Sequence, residues 1–449
     1  MLPENPGLSR RSFLKWSLLT SAAVGILATS GCSSASTKPL VSGPVDIRMW
    51  THDDGYIKFF TDTAGKMAGQ SEFQPNLQIT KSGATDLVTK LIAQSIAGQG
   101  TPDLVGINLP HFARLMNGNI ADEILAPLDD LVAPFGDDLI QARRAPFSNN
   151  GHLYALDSDS PLAVYYYRAD LFEKYGLKEP GSYASWEDFA EAATPISQEH
   201  GVAFGALSVG NDLPQLIQGF ELLLLQRGGG LFNSAGELDI TSDYAIEVLE
   251  FIAASMDSGF FTTVTDLYGG SVQTALASDK ILGVYMPTWY ASFGIKPNVP
   301  QQEGLWRVSM APPFKNGGGR TAVGGGTGFA VVKNKPATEA ALELLRETYL
   351  TPAQQVARYK AMGYLPTLRS VFDSPDIVGI TDPFFGGQDL MDIYREIIDE
   401  IPPVYQTSNL STLNTVLSGN LLKAYRGHVA PATALADAAH AFNGQIEHL

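Results

Sequence analysis

The 449-residue chain has one cysteine, Cys32, so no disulfide can form within it and the fold rests on packing alone. Its seven histidines are scattered, with no H-E-x-x-H and no paired cysteines, and no transition-metal site is legible. Lys and Arg number 30 against 47 Asp and Glu, a formal net charge of −17, which speaks against nucleic acid as a partner and against highly anionic ligands. After the first 30 residues there is no second long apolar run, which argues against membrane spans.

What is present begins at the N-terminus. "SRRSFLKWSLLTSAAVGILATSGC" (Ser9 to Cys32) has a basic start, a short apolar stretch from Trp16 to Leu27, and small residues before Cys32. This is the pattern of a secretory signal, and the paired Arg10 and Arg11 resemble a twin-arginine export signal. Thr29-Ser30-Gly31-Cys32 resembles a lipobox, with Thr29 where such boxes usually carry Leu. Residues 1–31 are read as the signal peptide, with Cys32 lipidated and tethering the protein to the outer face of the membrane. The plainer alternative is ordinary cleavage with a free thiol left behind. Residues 32–43, small, polar and interrupted by Pro39, form a flexible spacer.

The remaining body is long enough for two substantial domains, because single cores stop growing at roughly 250–300 residues, and a 45% hydrophobic content supports them. "VDIRMW", "NLQIT" and "PDLVGIN" read as strands; between them "TDTAGKMAG" and "TDLVTKLIAQSIAGQG" read as helices. That alternation predicts a layered α/β domain with a mostly parallel sheet. Further on, "SWEDFAEAATPIS" is a helix capped by Ser185, and "PQLIQGFELLLLQRGG" a long apolar helix whose Leu222–Leu225 stripe is core. Ser242–Ser255 and Ser271–Leu276 read as helical and Ile281–Trp289 as a strand, while Thr321–Val332 is a glycine-rich turn entering a strand. The C-terminal third reads as mostly helical. Gly324-Gly325-Gly326 leads into a strand and lacks the Lys-Ser/Thr of a phosphate loop, so phosphate binding is excluded there.

Several stretches, in order, resemble one family: "TDLVTKLIAQSIAGQGTPDLVGIN", "GNIADEILAPLDDL", "GHLYALDSDSPLAVYYYRADLFEKYGL", "SWEDFAEAA", "GVYMPTWY", "GGGTGFAVV" and "MGYLPTLRSV". They are similar to the extracellular solute-binding proteins of ABC sugar importers, the class that includes maltodextrin-binding proteins, over about residues 44–445. The resemblance implies a two-lobed α/β periplasmic-binding-protein fold of type II, with ligand enclosed in an interlobe cleft by hinge closure. It places the N-terminal lobe at 44–158 and 327–372 and the C-terminal lobe at 159–326 and 373–449, with crossings near Asp157–Ser160, Val323–Gly326 and Val371–Ser374. It further implies a monomer that passes a mono- or oligosaccharide to a membrane permease, with no cofactor, no metal and no nucleic acid.

Sugar hydroxyls pair with carboxylates and amides, and sugar C–H faces stack on aromatic rings. Asp53 and Asp54 follow the first strand, where ligands of open α/β sheets bind, though Asp is also common in turns. Gly83 and Thr85 follow the second strand as ligand contacts or helix caps, and Asn108 and His111 follow the third, His111 standing equally as a structural histidine. In the family Asn108 is near a stacking aromatic, which this chain lacks. Asp159 matches an acidic contact at the first crossing and Trp289 a stacking aromatic, with Tyr364 and Asn409 as weaker matches. The plainer readings are hinge hydrogen bonding for Asp159 and core packing for Trp289.

Two other functions stay open. Asp157 and Asp159, two apart in an extended segment, would lie on one face about 6–7 Å apart, within the range of a glycoside hydrolase pair. A hinge is a poor scaffold for catalysis, however, and no nucleophile motif stands out. The same fold can also hold a peptide, a polyamine or a metal complex.

Overall fold

A computed structural model describes residues 42–447. The export signal, Cys32 and nearly all of the spacer lie outside the described residues. The first sheet is built from β1 (Gly43–Thr51), β2 (Phe73–Lys81) and β3 (Leu104–Asn108), with α1 (Asp54–Met67) and α2 (Ala84–Ile96) between them. β1 alternates buried and exposed residues until Met49, Trp50 and Thr51, which are all buried. α1 starts where Asp53 accepts from the Gly55 N–H at 2.7 Å, and buries Tyr56, Phe59, Phe60 and Ala64 at helical spacing.

The sheet runs β2–β1–β3, then the Thr327–Val331 strand, then Leu156–Asp157. β1 is parallel to β2 and to β3, while Thr327–Val331 is antiparallel to both of its neighbours. The expectation of a mostly parallel sheet therefore holds for strand direction, and the reversed strand is the one that arrives late in the chain. A strand returning directly from another part of the protein has no crossover helix to set its direction.

A second sheet has Ala163–Arg168 at its centre, antiparallel to Gly283–Pro287 and to Trp306–Ser309. All six residues of the central strand are buried, as a strand covered on both faces requires. A parallel pair, Gly205–Ser208 with Phe261–Val264, joins this layer through the Ala203–Ile281 bridge. The Phe261–Val264 strand is absent from the sequence reading, because "FTTV" is short and follows directly on a helix. The predicted helices are present at Trp186–His200, with Ser185 accepting from Asp188 N–H, and at Leu213–Arg227, Asp243–Ser258 and Gly270–Ala277. Pro352–Met362, Leu390–Ile397, Leu410–Tyr425 and Pro431–Ile446 make the last third largely helical.

Two antiparallel segments connect the sheets. Ser158 N–H donates to Thr327 O at 2.9 Å, Leu162 bridges Val323, and Ala163 N–H donates to Ala322 O at 2.9 Å. These paired segments form the floor between the two sheets.

Candidate functional site

A cavity of about 490 Å³ opens over the paired connections. From the first-sheet side it is lined by His52, Asp53, Tyr56, Asn108 and Tyr364, from the floor by Asp159 and Gly325–Thr327, and from the opposite side by Tyr268, Trp289 and Phe293. His52, Asp53 and Asn108 stand at the carboxyl ends of β1 and β3, where open α/β sheets take ligands.

The two walls are aromatic. On the first, Tyr56 lies 5.8 Å from both His52 and Tyr364. On the second, Trp289 lies 5.8 Å from Tyr268 and 6.4 Å from Phe293, which is 45% exposed. The Trp289 indole N–H donates to Gly324 O at 2.9 Å, which fixes the ring plane relative to the floor. A rigid pair of apolar faces with polar groups between them suits a ligand having both apolar faces and hydroxyls.

The glycine run makes this approach possible. Gly325 and Gly326 have φ of +77° and +114°, a region that L side chains rarely adopt. A Cβ on Gly326 would stand 2.6 Å from Arg143 Nη2 and 2.9 Å from Asp157 Oδ1; one on Gly324 would stand 2.7 Å from Pro287. Glycine is required here by backbone conformation and close packing.

Beneath the floor lies a buried charge cluster. Arg143 donates through Nε to Asp157 Oδ2 at 2.7 Å and through Nη2 to Gly325 O at 3.0 Å, and both side chains are nearly inaccessible. Burial raises Asp157 above the usual carboxylate range, and the Arg143 guanidinium opposes that shift. Asp159 is likewise raised by burial, against the pull of Arg143 and Arg358. Its Oδ1 accepts from Ser158 Oγ at 3.1 Å, and Ser158 Oγ also meets Tyr56 Oη at 2.9 Å. Arg358 is fully buried, 4.6 Å from the Tyr349 ring, with all three guanidinium nitrogens unpartnered within the protein.

The structure brings Asp53, Asn108, Asp159, Trp289 and Tyr364 together in this cavity. Asp53 also caps α1, and Asn108 Oδ1 accepts from Thr327 Oγ1 at 2.8 Å. The other sequence candidates lie elsewhere. Asp54 is exposed and pairs with Lys81 at 2.6 Å. Gly83 occupies the cap position of α2, and Thr85 Oγ1 lies 3.3 Å from His111 Nε2. Asn409 begins the Leu410–Tyr425 helix. Asp157 does not join Asp159 in the cavity, because its carboxylate is taken by Arg143.

A second chamber of about 270 Å³ continues from the first, sharing Asn108, Tyr268, Trp289, Gly325 and Gly326 with it. One face of the Leu213–Arg227 helix lines it: Pro214, Ile217, Gln218, Glu221 and Leu225, at spacings of three and four. Sequence reasoning passed over Glu221 and Gln218, yet two polar residues on one face of a helix otherwise this apolar are a legible signal. Glu221 is part-exposed because it lines the chamber; the protein packed around it still pushes its carboxyl up to about 7.

That shift has a sign. The folded value lies above the unfolded value of 4.5, so the stability it brings is fully present below 4.5 and is lost as pH rises through about 7. Glu221→Gln is expected to match the wild type in urea unfolding at pH 4.5 and to exceed it by roughly 2–3 kcal/mol at pH 8. Equal stability at both pH values would mean that the carboxyl is solvated.

With this geometry in place, comparison with known proteins is informative. The family model described as "Bacterial extracellular solute-binding protein" matches residues 66–382. The arabinooligosaccharide-binding protein of Bacillus subtilis (strain 168) is 24% identical over 409 residues, covering 88% of this chain and 90% of that protein. The cyclic alpha-maltosyl-1,6-maltose binding protein from Arthrobacter globiformis superposes with a TM-score of 0.73 at 21% identity, over 91% of this chain and 100% of that one. The galacto-N-biose-/lacto-N-biose I-binding protein of Bifidobacterium longum gives 0.71 at 18% identity, over 90% and 98%. These likenesses establish a two-lobed α/β fold, as the resemblance implied.

Proposed function

This chain belongs to the bacterial extracellular solute-binding proteins, and on that footing we propose that it captures a carbohydrate in the cleft between its two sheets and delivers it to the permease of an ABC importer. The observation that carries this reading is the cleft itself: two aromatic walls, Tyr56 with Tyr364 and Trp289 with Tyr268, above a floor bearing Asp159. Relatives named for arabinooligosaccharide and lactose binding support a sugar as the solute.

The lobes are 44–158 with 327–372 and 159–326 with 373–449. Their division is supported by the sheet order, which puts Thr327–Val331 in the first sheet and Ala163–Arg168 in the second. The paired connections at 158–162 and 322–327, with a third crossing near Val371–Ser374, are the hinge. A sugar bridging the aromatic walls contacts both lobes only when they approach, so it favours closure by its differential affinity for that state. The closed form then docks on the permease. The protein is an exported monomer, anchored through a lipid on Cys32. Of the sequence candidates, Asp53, Asn108, Asp159, Trp289 and Tyr364 are the sugar contacts.

We favour binding over hydrolysis because Asp157, the partner the sequence offered Asp159, is held by Arg143, and a hinge segment is a poor scaffold for a catalytic pair. The test is isothermal titration of the protein against mono-, di- and oligosaccharides, with product analysis of each mixture. Binding with the sugar recovered intact is the expected result. Cleaved sugar would establish an enzyme, and no heat with any sugar would overturn the carbohydrate reading.

A further inference from the structure

Behind the first-sheet wall of the cleft stands an arginine that makes no hydrogen bond within the protein. Arg358, on the Pro352–Met362 helix, is fully buried, and its Nε, Nη1 and Nη2 are all unpartnered. The packing around it is not loose. Gln355, one turn earlier on the same buried face, uses both ends of its amide: Nε2 donates to Tyr349 O at 2.6 Å, and Oε1 accepts from Thr367 N–H at 2.9 Å. The Arg358 guanidinium instead lies 4.6 Å from the centre of the Tyr349 ring and 5.9 Å from that of Phe59. Aromatic faces replace only part of a cation's lost hydration.

A guanidinium keeps its proton in a protein, so its burial calls for a negative charge within reach. Arg143, Arg358, Asp157 and Asp159 are buried together beneath the cleft. Arg143 donates directly to Asp157 and to Gly325 O, and its charge is answered there. Asp159 accepts from the Ser158 hydroxyl and is the anion left for Arg358. The contacts between them run from Tyr349, stacked on Phe329 at 5.3 Å, to Tyr56, 5.0 Å from Phe329, and on through Ser158. Burial lowers Arg358 from its usual value; of the groups charged at neutral pH that oppose this, Asp159 acts most strongly and Asp157 next. In return, burial raises Asp159, and Arg143 and then Arg358 pull it down. Tyr56, Tyr349 and Tyr364 also stand near Asp159, and burial holds all three neutral.

We propose that Arg358 is a positioning residue for sugar capture, acting through Asp159: its buried charge keeps that group a carboxylate, which can accept from two sugar hydroxyls at once. This rests on the carbohydrate reading above. A protonated Asp159 forfeits the charge-assisted bonds, which are the stronger ones. Without Arg358, two carboxylates share the single charge of Arg143. Asp157 is bonded to that arginine, so Asp159 is the one that takes up a proton.

The test titrates the protein with arabinotriose and with lactose from pH 6 to pH 9, for wild type, Arg358→Met and Arg358→Lys. Carboxyl-carbon NMR follows Asp159 in each, its signal identified by its loss in Asp159→Asn. At pH 6 Arg358→Met is expected to bind at least about tenfold more weakly than the wild type, and to recover to within about threefold by pH 9. Arg358→Lys keeps the charge and should stay within about threefold throughout. His52, Asp53 and Glu221 also line the cleft, and they titrate in every variant, so the ratio to wild type at each pH removes their part. A loss in Arg358→Met that is the same at every pH would mean a structural role alone and would overturn the proposal. So would a wild-type Asp159 found protonated at pH 7, a measurement that needs no variant to fold. If neither sugar binds the wild type, the carbohydrate reading fails. That result is distinct, because the NMR titration still decides whether Arg358 holds the charge on Asp159.

Discussion

Trp289→Ala is expected to weaken sugar binding by roughly 30- to 1,000-fold, or about 2–4 kcal/mol, the range of a buried aromatic anchor. The indole stands where both cavities meet, backed by Tyr268 and tied to the Gly324 carbonyl, so it reaches the ligand already ordered. A ring fixed in the free protein loses little entropy on binding, and its removal costs the stacking surface almost in full. Trp289 is only part-buried, so the fold should survive the change with an unaltered circular dichroism spectrum. Trp289→Phe separates the two roles of the side chain. It keeps a ring face but not the N–H bond to Gly324, and should recover about half of the lost binding free energy if stacking dominates. Titration of both variants with the preferred sugar decides it; unchanged affinity in Trp289→Ala would remove this residue from the site.

The elements positioning this site were legible wherever their cause was local. Ser185 followed by Glu187 and Asp188 marks a helix start by itself, because the cap and the first-turn acids act within four residues. The β1–α1–β2–α2–β3 order follows from apolar periods of two and 3.6, and it alone places Asp53 and Asn108 at strand ends. What escaped were features made by contact across the chain. Tyr56 reaches the cavity because α1 packs beside the Tyr364 segment, some 300 residues later. Tyr268 does so because a short strand at Phe261–Val264 ends just before it. The two-residue spacing of Asp157 and Asp159 suggests a shared face, yet Arg143 captures one of them. No local pattern announces a guanidinium that arrives through tertiary packing. Asp54, Gly83 and Thr85 are the converse case, lying outside the cavity lining. They occupy the right loops, but α1 and α2 begin there, and helix starts use Asp, Gly and Thr for capping and first-turn charge.

Arg143→Ala should destabilise the protein by about 3–5 kcal/mol, because it leaves the Asp157 carboxylate buried without its partner. The Arg143 and Asp157 side chains are 1% and 2% exposed, so water cannot replace the guanidinium without opening the structure. The same arginine holds Gly325 O, and through it the glycine run on which Trp289 rests. Loss of stability and loss of sugar affinity should therefore appear together in Arg143→Ala, whereas Trp289→Ala should show the second alone. Protonating Asp157 relieves the orphaned charge, so the deficit should shrink as pH falls from 8 to 5. The double variant Arg143→Met with Asp157→Leu tests whether charge or shape is at stake. It removes both ions and fills their volume, and replacement of a buried pair in this way is often neutral or stabilising. Urea unfolding of the single and double variants at both pH values reads the outcome. A single variant as stable as the wild type at pH 8 would show that Asp157 is already neutral in the folded protein. Recovery of stability without recovery of binding in the double variant would show that the Gly325 carbonyl needs the arginine in its own right.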